Sequence, residues 1–313
     1  MANFTTSNLT NISKEINSTA HERTQDVFST IFIIINMIIN SIACPFTVGL
    51  NVLVITAIKR RTSLQSNANI VLGFLAVTDV LTGLTSQPLV IIENIAMLLG
   101  TVDTYAIFRE SQVFFFGFLG RSSCLHLMTV VFERLVAIKF PYRYPYVMTK
   151  RNIKLAALFC WIYSAFYRVG LYLIDKSSSL HDIIASHVLV VCVISVSFSY
   201  VVLYYETRRH QKMIKAQRLS QEDVERLVKD RKALKTTVLV VAAVGLCFLP
   251  GGLYLALKNL LSAFENKSDI VREITRTLFL LNSFLNPLIY CLRQREMRKF
   301  ILRPLWKSVH PTN

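Results

Sequence analysis

The stretch Leu278 to Tyr290 reads LFLLNSFLNPLIY, and it decides the fold. It is apolar enough for hydrocarbon, yet it holds four residues that a membrane helix tolerates poorly: Asn282, Ser283, Asn286 and Pro287. Hydrocarbon offers no water to an amide, so each polar group needs a partner from another helix or a trapped water. Proline removes a backbone donor and kinks the helix. The stretch therefore predicts a moving membrane helix that turns its polar groups toward other helices.

The composition of the whole chain also indicates a membrane protein. Of its 313 residues 53% are hydrophobic and 17% are charged, whereas about a quarter are charged in a soluble protein. The apolar residues form seven runs, each near or above the ~20 residues that span ~30 Å of hydrocarbon. The runs are 28–58, 68–98, 106–138, 153–174, 182–206, 234–260 and 273–291. Continuous runs favour helices over the alternating segments of a β-barrel, so we predict an all-α, seven-transmembrane helix bundle.

The polar segments between the runs predict the orientation. Lys and Arg concentrate in the segments 59–67, 139–152, 207–233 and 292–313. This is the positive-inside pattern, and it accounts for most of the net charge of +16 without nucleic acid as a partner. Glycosylation sequons fall on the opposite side, at Asn3, Asn8, Asn11, Asn17 and Asn266. The predicted location is the plasma membrane, with an extracellular N-terminus and a cytoplasmic C-terminus.

These signals divide the chain into three predicted regions. Residues 1–27 form a glycosylated extracellular tail, 28–291 the bundle, and 292–313 a cytoplasmic amphipathic helix and short tail that lie against anionic lipid.

All six cysteines lie inside apolar runs, which predicts neither a zinc site nor an outer disulfide framework. The spacing of Asp79, His126 and His187 matches no catalytic constellation, and the chain lacks the matching halves of a repeat transporter. We therefore predict that the protein is not an enzyme.

Polar and aromatic motifs recur in the predicted spans. They are Asn51 in the first, Asp79 in the second, Glu133-Arg134 at the inner end of the third, Trp161 in the fourth, Cys247-Phe248-Leu249-Pro250 in the sixth and Asn286-Pro287-Leu288-Ile289-Tyr290 in the seventh. In this order the chain resembles a rhodopsin-like (class A) G-protein-coupled receptor over essentially its whole length. Arg109 replaces the usual outer cysteine and Cys192 the fifth-span proline. Those two departures resemble the melanocortin, sphingolipid and cannabinoid receptor group.

The resemblance implies a sodium site that modulates activation and no other cofactor. Asp79 matches the aspartate that binds sodium together with waters in this family. Its companions would be Asn51, Ser123, Asn282, Ser283 and Asn286. A buried carboxylate needs either a cation or a proton, so the alternative is a protonated Asp79 that is hydrogen-bonded to the seventh span.

The resemblance also implies a cytoplasmic switch that couples the receptor to a heterotrimeric G protein, with arrestin as a further partner. Arg134 would pair with Glu133 at rest and be freed when the sixth helix swings outward. The other residues implied in this switch are Asp230 as a second partner of Arg134, Tyr200 and Tyr290 as tyrosines that approach each other, Pro287 as a hinge, and Phe248 and Pro250 as the hinge of the sixth helix.

The ligand is less clearly encoded. Phe116 lies 18 residues before Arg134, which is five helical turns away on the same face. Amine receptors carry an aspartate at this position. The phenylalanine therefore argues against a simple amine as the ligand. The candidate ligand contacts are Glu93, Phe116, Arg121, His187, Tyr254 and Arg276. They favour an anionic or lipid-like small molecule. The alternatives are a peptide ligand, a non-signalling scavenging receptor, or internal pairing of Glu93 with Arg276 and of Glu110 with Arg109.

Overall fold

The computed structural model describes residues 2–174, scattered positions between 191 and 250, and residues 268–301. Its helices are α1 (Ala2–Arg60), α2 (Asn67–Leu84), α3 (Ser86–Leu98), α4 (Val102–Lys139), α5 (Tyr144–Val147), α6 (Lys150–Tyr172), α7 (Ser268–Arg293) and α8 (295–301), with a 3₁₀ turn at Thr62–Leu64. The described part is all-α and contains no strand. The predicted spans 182–206 and 234–260 lie mostly outside the described residues, as do His187, Tyr200, Asp230, Phe248, Tyr254 and Asn266.

Four helical stretches of the described residues are long and apolar enough to cross a membrane. They are Ser29–Arg60, Asn67–Leu98, Val102–Lys139 and Lys150–Tyr172, and they coincide with the first four predicted runs. The seventh run lies within α7. Large apolar side chains on the outer faces, such as Ile38 on α1 and Phe166 on α6, are exposed, as contact with lipid requires.

The second span differs from its prediction as one continuous helix over 68–98. It is broken at Thr85, whose φ of −120° and ψ of −67° separate α2 from α3. The cause is Pro88, which has no N–H to donate to the carbonyl of Leu84 and whose ring would clash with that carbonyl. The Thr85 hydroxyl instead donates to the Leu81 carbonyl at 2.7 Å, which caps the first segment.

The apolar core lies in the half of the molecule that the sequence predicts to be cytoplasmic. Side chains of α1, α2, α4 and α7 meet there in one cluster that includes Val54, Leu75, Leu127 and Tyr290. Buried polar side chains, among them Asp79, Asn286 and Arg276, lie outside this cluster.

The C-terminal amphipathic helix also differs in one respect from its prediction. The helix as a whole is expected to lie against lipid, but Met297 and Ile301 are fully buried and belong to the apolar core. Gln294 fixes the start of α8, because its amide group exchanges two hydrogen bonds with that of Asn69, at 2.5 and 3.1 Å. The charged residues Arg298 and Lys299 remain exposed. α8 therefore packs its apolar face on the bundle and keeps its basic face outward.

Candidate functional site

The middle of the bundle holds the predicted partners of the decisive stretch. Asp79 on α2 is fully buried, and Asn286 on α7 donates to its Oδ2 atom at 2.8 Å. The Ser283 hydroxyl makes a second hydrogen bond to this carboxylate. Asn51 on α1 donates to the Ser283 carbonyl at 3.0 Å. Three spans are thus joined at this carboxylate.

Asp79 and three of its predicted companions each have a side-chain oxygen atom without a protein partner. They are Asp79 Oδ1, Asn51 Oδ1, Ser123 Oγ and Asn282 Oδ1, and all of them are buried. A buried ionised carboxylate is very costly without a compensating charge. An all-oxygen set of this kind is what hard cations prefer. The residues therefore fit a sodium ion, which would satisfy at least the Asp79 oxygen.

A second polar cluster lies at the inner mouth of the bundle. Arg134 Nε is 3.4 Å from Glu133 Oε2, and the Glu133 carboxylate is almost fully buried whereas Arg134 is one-quarter exposed. The Tyr144 hydroxyl donates to Glu133 Oε1 at 2.6 Å. Asn67, in the first turn of α2, donates to the Tyr144 oxygen at 3.2 Å and to the Met148 carbonyl at 2.5 Å. The acid–arginine pair is therefore tied to the second inner segment and to the second span.

Tyr144 is a site residue that the sequence did not reveal. It lies in the inner segment beside Tyr142 and Tyr146, which are 91% and 82% exposed. No spacing rule distinguishes one of these three tyrosines, and only the turn of α5 directs Tyr144 inward. Burial, followed by its bond to Glu133, raises the pKa of Tyr144 to about 12. The hydroxyl therefore remains a proton donor at any physiological pH.

The outer half of the bundle contains an ionic network. Arg276 on α7 binds Glu93 on α3 at 2.5 Å and also pairs with Glu273 one turn earlier on α7. Asn36 on α1 donates to Glu273 at 2.8 Å, and Arg109 on α4 lies 3.9 Å from Glu93. The network joins the first, second, third and seventh spans.

This network bears on two candidate ligand contacts, Glu93 and Arg276. The structure pairs them with each other, which is the internal pairing that the sequence left open. Buried charges require such partners, since desolvation alone costs several kcal/mol per ion. The expected partner of Arg109 was Glu110, whereas the structure directs Arg109 toward Glu93.

Two arginines lie in the outer half of the bundle between α4 and α6. The Arg121 guanidinium on α4 stacks on the Tyr167 ring at 3.7 Å, and that of Arg168 on α6 lies 5.7 Å from the Phe114 ring. Arg168 is 8% exposed and fits beside Gly117, where a Cβ atom would lie 3.3 Å from its side chain. Arg121 is a predicted ligand contact, and the structure places Arg168 of α6 near it.

Phe116 belongs to a different surface from Arg121. Its ring lies 4.3 Å from that of Phe279 on α7. Phe279 also fills the space beside Gly120, where an added Cβ atom would overlap its ring. The glycines of this span could have indicated an apolar cleft or close packing of helices, and at Gly120 the packing is close.

The family model for 7 transmembrane receptors of the rhodopsin family matches residues 50–290. The chain belongs to this family. Trace amine-associated receptor 7a of Rattus norvegicus is 29% identical over 280 residues, which cover 80% of this chain and 76% of that receptor. Trace amine-associated receptor 13c of Danio rerio is 27% identical over 82% of this chain and 81% of its own length. The alpha-1A adrenergic receptor of Oryzias latipes is 25% identical over 57% of this chain and 47% of its own.

Membership settles several predictions for this rhodopsin-family receptor. It is an all-α, multi-pass membrane receptor and not an enzyme, and its family signals through G proteins. The structure brings Glu133 together with Arg134 and Asp79 together with Asn286, and the roles of these residues stay predictions. The likeness to the melanocortin, sphingolipid and cannabinoid group stays a prediction.

Proposed function

We propose that the receptor transmits an extracellular ligand signal to heterotrimeric G proteins through the Glu133–Arg134 pair. The observation that supports this role is the division of the Glu133 carboxylate between two partners. When Arg134 leaves to contact a G protein, Tyr144 still satisfies one oxygen of Glu133. The release of Arg134 therefore leaves no bare buried charge, which lowers its cost.

The movement that frees Arg134 is the outward swing of the sixth helix, with Phe248 and Pro250 as its hinge. Pro287 would bend α7 at the same time and carry Tyr290 toward Tyr200. Tyr290 is fully buried in the core, so its movement would require that the core repack. Asp230 remains the proposed second partner of Arg134.

We further propose that sodium binds at Asp79 and stabilises the resting arrangement. Asn286 and Ser283 on α7 both bind the carboxylate, so an ion at this point would hold α7 against α2. The ion would supply the positive charge that this buried site otherwise lacks. Asn51, Ser123 and Asn282 would orient their free oxygens toward it.

An anionic or lipid-like small molecule is the ligand class that we propose, with Arg168 as its principal contact. The Nε atom of Arg168 is buried and has no hydrogen-bond acceptor. Its electrostatic neighbours are Arg121, of like charge, and Glu110. In a region of low dielectric an acidic group would interact favourably with both arginines. The apolar rings of Phe114 and Tyr167 would accept the remainder of such a ligand.

An amine is the second candidate ligand, because the relatives include trace amine-associated and adrenergic receptors. Phe116 offers an amine no charge. Glu93 and Glu273 are carboxylates in the outer half, but an amine would have to displace Arg276 from both. The contacts of Arg168 therefore favour an acidic ligand.

Nucleotide exchange on purified G proteins, in membranes that contain the receptor, tests both parts of the proposal. Carboxylates, sulfates, phosphorylated lipids, peptides and amines are compared at equal concentration, and Arg134→Ala serves as the variant that cannot couple. We expect an acidic ligand to raise exchange, Arg168→Gln to weaken its potency at least tenfold, and Arg209→Gln, an exposed arginine paired with Glu206, to leave it unchanged.

Three results would contradict the proposal. Exchange that no ligand raises would refute coupling, and arrestin recruitment without exchange would point to a scavenging receptor. Activation by an amine that is insensitive to Arg168→Gln would refute the acidic ligand while leaving coupling intact.

A further inference from the structure

The first inner segment, between α1 and α2, carries a serine behind two arginines. It reads Arg60-Arg61-Thr62-Ser63, so the arginines stand three and two residues before Ser63. The chain has one other arginine pair, at 208–209, and no serine or threonine follows that pair within three residues. Basophilic protein kinases select a serine in this setting, because their carboxylates bind the guanidinium groups that precede it. Ser63 is therefore a candidate site of phosphorylation.

The structure leaves this four-residue motif accessible. All four side chains are exposed, whereas the next residue, Leu64, is 3% exposed and belongs to the apolar core. Among the described residues no carboxylate pairs with either arginine, so a kinase would displace no existing partner. Ser66, the other serine of the segment, is already engaged, because its hydroxyl accepts a hydrogen bond from the Asn69 N–H at 3.4 Å and caps α2.

The turn that contains Ser63 is also easy to open, as a kinase that binds an extended substrate requires. Thr62–Leu64 forms a single 3₁₀ turn. Two backbone hydrogen bonds of 3.0 Å close it, one from the Leu64 N–H to the Arg61 carbonyl and one from the Gln65 N–H to the Thr62 carbonyl. Short 3₁₀ turns have poorly aligned hydrogen bonds, and exposed ones open at little cost in free energy.

The segment is connected to α8 by hydrogen bonds that begin next to Ser63. The Leu64 carbonyl accepts a hydrogen bond from the Asn69 amide at 2.9 Å, and the same amide donates to Gln294 at 3.1 Å. Arg295 directly follows Gln294, and Arg298 lies one turn further along α8, where its N–H donates to the Gln294 carbonyl at 2.8 Å. Both arginine side chains are exposed. Basic groups of α8 therefore flank the residue to which the segment is connected.

We propose that Ser63 is phosphorylated by a basophilic serine/threonine kinase, and that its phosphate joins the first inner segment to Arg295 and Arg298 of α8. In the reaction the Ser63 oxygen bonds to the γ-phosphorus of ATP, the bond from that phosphorus to the bridging oxygen breaks, ADP leaves and the hydroxyl proton is released. The product carries about −1.5 to −2 charge at pH 7 and three strong acceptor oxygens. Arginines bind such a group through paired, charge-assisted hydrogen bonds.

Phosphorylation of the purified, full-length receptor tests the site. The receptor is incubated with ATP and the catalytic subunit of cyclic-AMP-dependent protein kinase, and the modified residue is identified by mass spectrometry. We expect phosphate on Ser63. Arg60→Gln and Arg61→Gln should each lower the rate at Ser63 at least tenfold. Arg143→Gln is the matched control, because it removes an exposed arginine of the second inner segment, and it should leave the rate unchanged.

The thermal unfolding midpoint tests the connection to α8. Phosphorylated receptor should unfold roughly 2–4 °C above unmodified receptor, because the phosphate adds charge-assisted hydrogen bonds. The rise should be absent from the double variant Arg295→Gln/Arg298→Gln and retained in Arg143→Gln. Kinase-treated Ser63→Ala corrects for phosphate on other residues. Each variant is compared with and without kinase, so the effect of the substitution itself on folding cancels.

The proposal fails if Ser63 of the folded receptor stays unmodified while a synthetic peptide of residues 57–67 is phosphorylated under the same conditions. It also fails if wild type and both single arginine variants react at equal rates, because the arginines would then not direct the kinase. A midpoint that does not rise, or that rises equally in Arg295→Gln/Arg298→Gln, would overturn the connection to α8.

Discussion

At the scale of single residues, the contacts of Glu133 show how a buried carboxylate can stay stabilised while its arginine partner changes contacts. Its two oxygens face different elements, one toward Arg134 on the same helix and the other toward Tyr144 on α5. Arg134 is partly exposed, so water weakens its interaction with Glu133. The hydrogen bond from Tyr144 is short, at 2.6 Å, and part-buried. Tyr144 therefore stabilises the carboxylate, while Arg134 remains free to exchange partners.

Tyr144→Phe should destabilise the receptor by about 1–3 kcal/mol, because it leaves one oxygen of buried Glu133 without a donor. The measurement is the thermal unfolding midpoint in detergent. Tyr146→Phe, at a tyrosine that is 82% exposed, is the matched control and should shift the midpoint little. Equal midpoints for the two variants would show that the Tyr144 bond contributes nothing.

The same bond predicts a pH dependence. The pKa of Tyr144 is raised from 10.0 to about 12 in the folded receptor. A raised pKa in the folded state means that the stabilisation is complete below about pH 10 and is lost as the pH rises toward 12. The difference in unfolding midpoint between wild type and Tyr144→Phe should therefore be constant from pH 6 to 9. A difference that changes within this range would contradict the assignment.

The variant Asp79→Asn tests whether sodium binding depends on the negative charge of Asp79. Wild-type receptor should be stabilised by sodium chloride relative to equal potassium chloride, by about 1.4 kcal/mol when sodium is at ten times its dissociation constant. The variant keeps the shape of the side chain but loses the charge, so its midpoint should be the same in both salts. If wild-type receptor also fails to distinguish the salts, Asp79 is protonated and the sodium proposal is wrong.

At the scale of helices, Gly120 sets the distance between α4 and α7. A Cβ atom there would overlap the Phe279 ring, so Gly120→Ala should cost about 1–3 kcal/mol through overpacking. Gly49 on α1 has no atom within 4 Å of its added Cβ, which makes Gly49→Ala the matched control. That control should be neutral or slightly stabilising, because alanine favours the helix. Adding Phe279→Leu to Gly120→Ala should recover stability, as unfolding midpoints of the single and double variants will show.

Arg276 holds α7 against α3 in the outer half. Arg276→Gln leaves the buried carboxylates of Glu93 and Glu273 without their positive partner, and removing one partner of a buried pair costs about 3–5 kcal/mol. In the double variant Arg276→Gln/Glu93→Gln most of this loss should be recovered, because one of the two unpaired charges is also removed. Thermal unfolding of the two single variants and the double variant measures the coupling. Losses that simply add would mean that the pair does not interact.

The sequence predicts contacts well where a motif fixes both partners. Asp79 and Asn286 are expected together, and the structure joins them at 2.8 Å. The sequence predicts contacts poorly where the rotation of a helix about its axis decides which neighbour a side chain meets. Glu93 and Arg276 were equally compatible with a ligand or with each other, because spacing along one helix does not state which neighbour a side chain faces.

The remaining differences between the predicted and the observed structure have local causes. Pro88 marks the break at Thr85, but hydropathy is continuous across it, so the second span was expected as one helix. Met297 and Ile301 form a face that suits lipid or protein equally, and only the position of α8 beneath the bundle selects protein. Tyr144 depends on the single turn of α5, for which the sequence gives no signal.

At the scale of the whole molecule, three polar layers are stacked from the outer to the inner end. The outer layer centres on Arg276, the middle layer on Asp79 and the inner layer on Glu133. α7 contributes to the outer and middle layers, while the inner layer is tied to α2 through Asn67. α7 and α2 therefore connect the three layers through contacts that each join two helices.

The distribution of basic residues predicts the orientation of this stack. Enzymatic removal of N-glycans should lower the apparent mass of receptor from mammalian cells, because Asn3, Asn8, Asn11 and Asn17 would face the lumen during synthesis. Asn266→Gln should remove one further glycan if the segment before α7 is on the same side. A sequon introduced into 139–152 is the control and should remain unmodified.

Antibody access supplies the second half of this test, because glycosylation reports only the outer side. An epitope added after Asn313 should be stained only in permeabilised cells, whereas one added before Ala2 should be stained in intact cells. The positive-inside rule demands this result, since the inner segments carry most of the Lys and Arg of a chain with net charge +16. Staining of the C-terminal epitope on intact cells would contradict this orientation, because it would place Glu133 outside the cell, where no G protein could reach it.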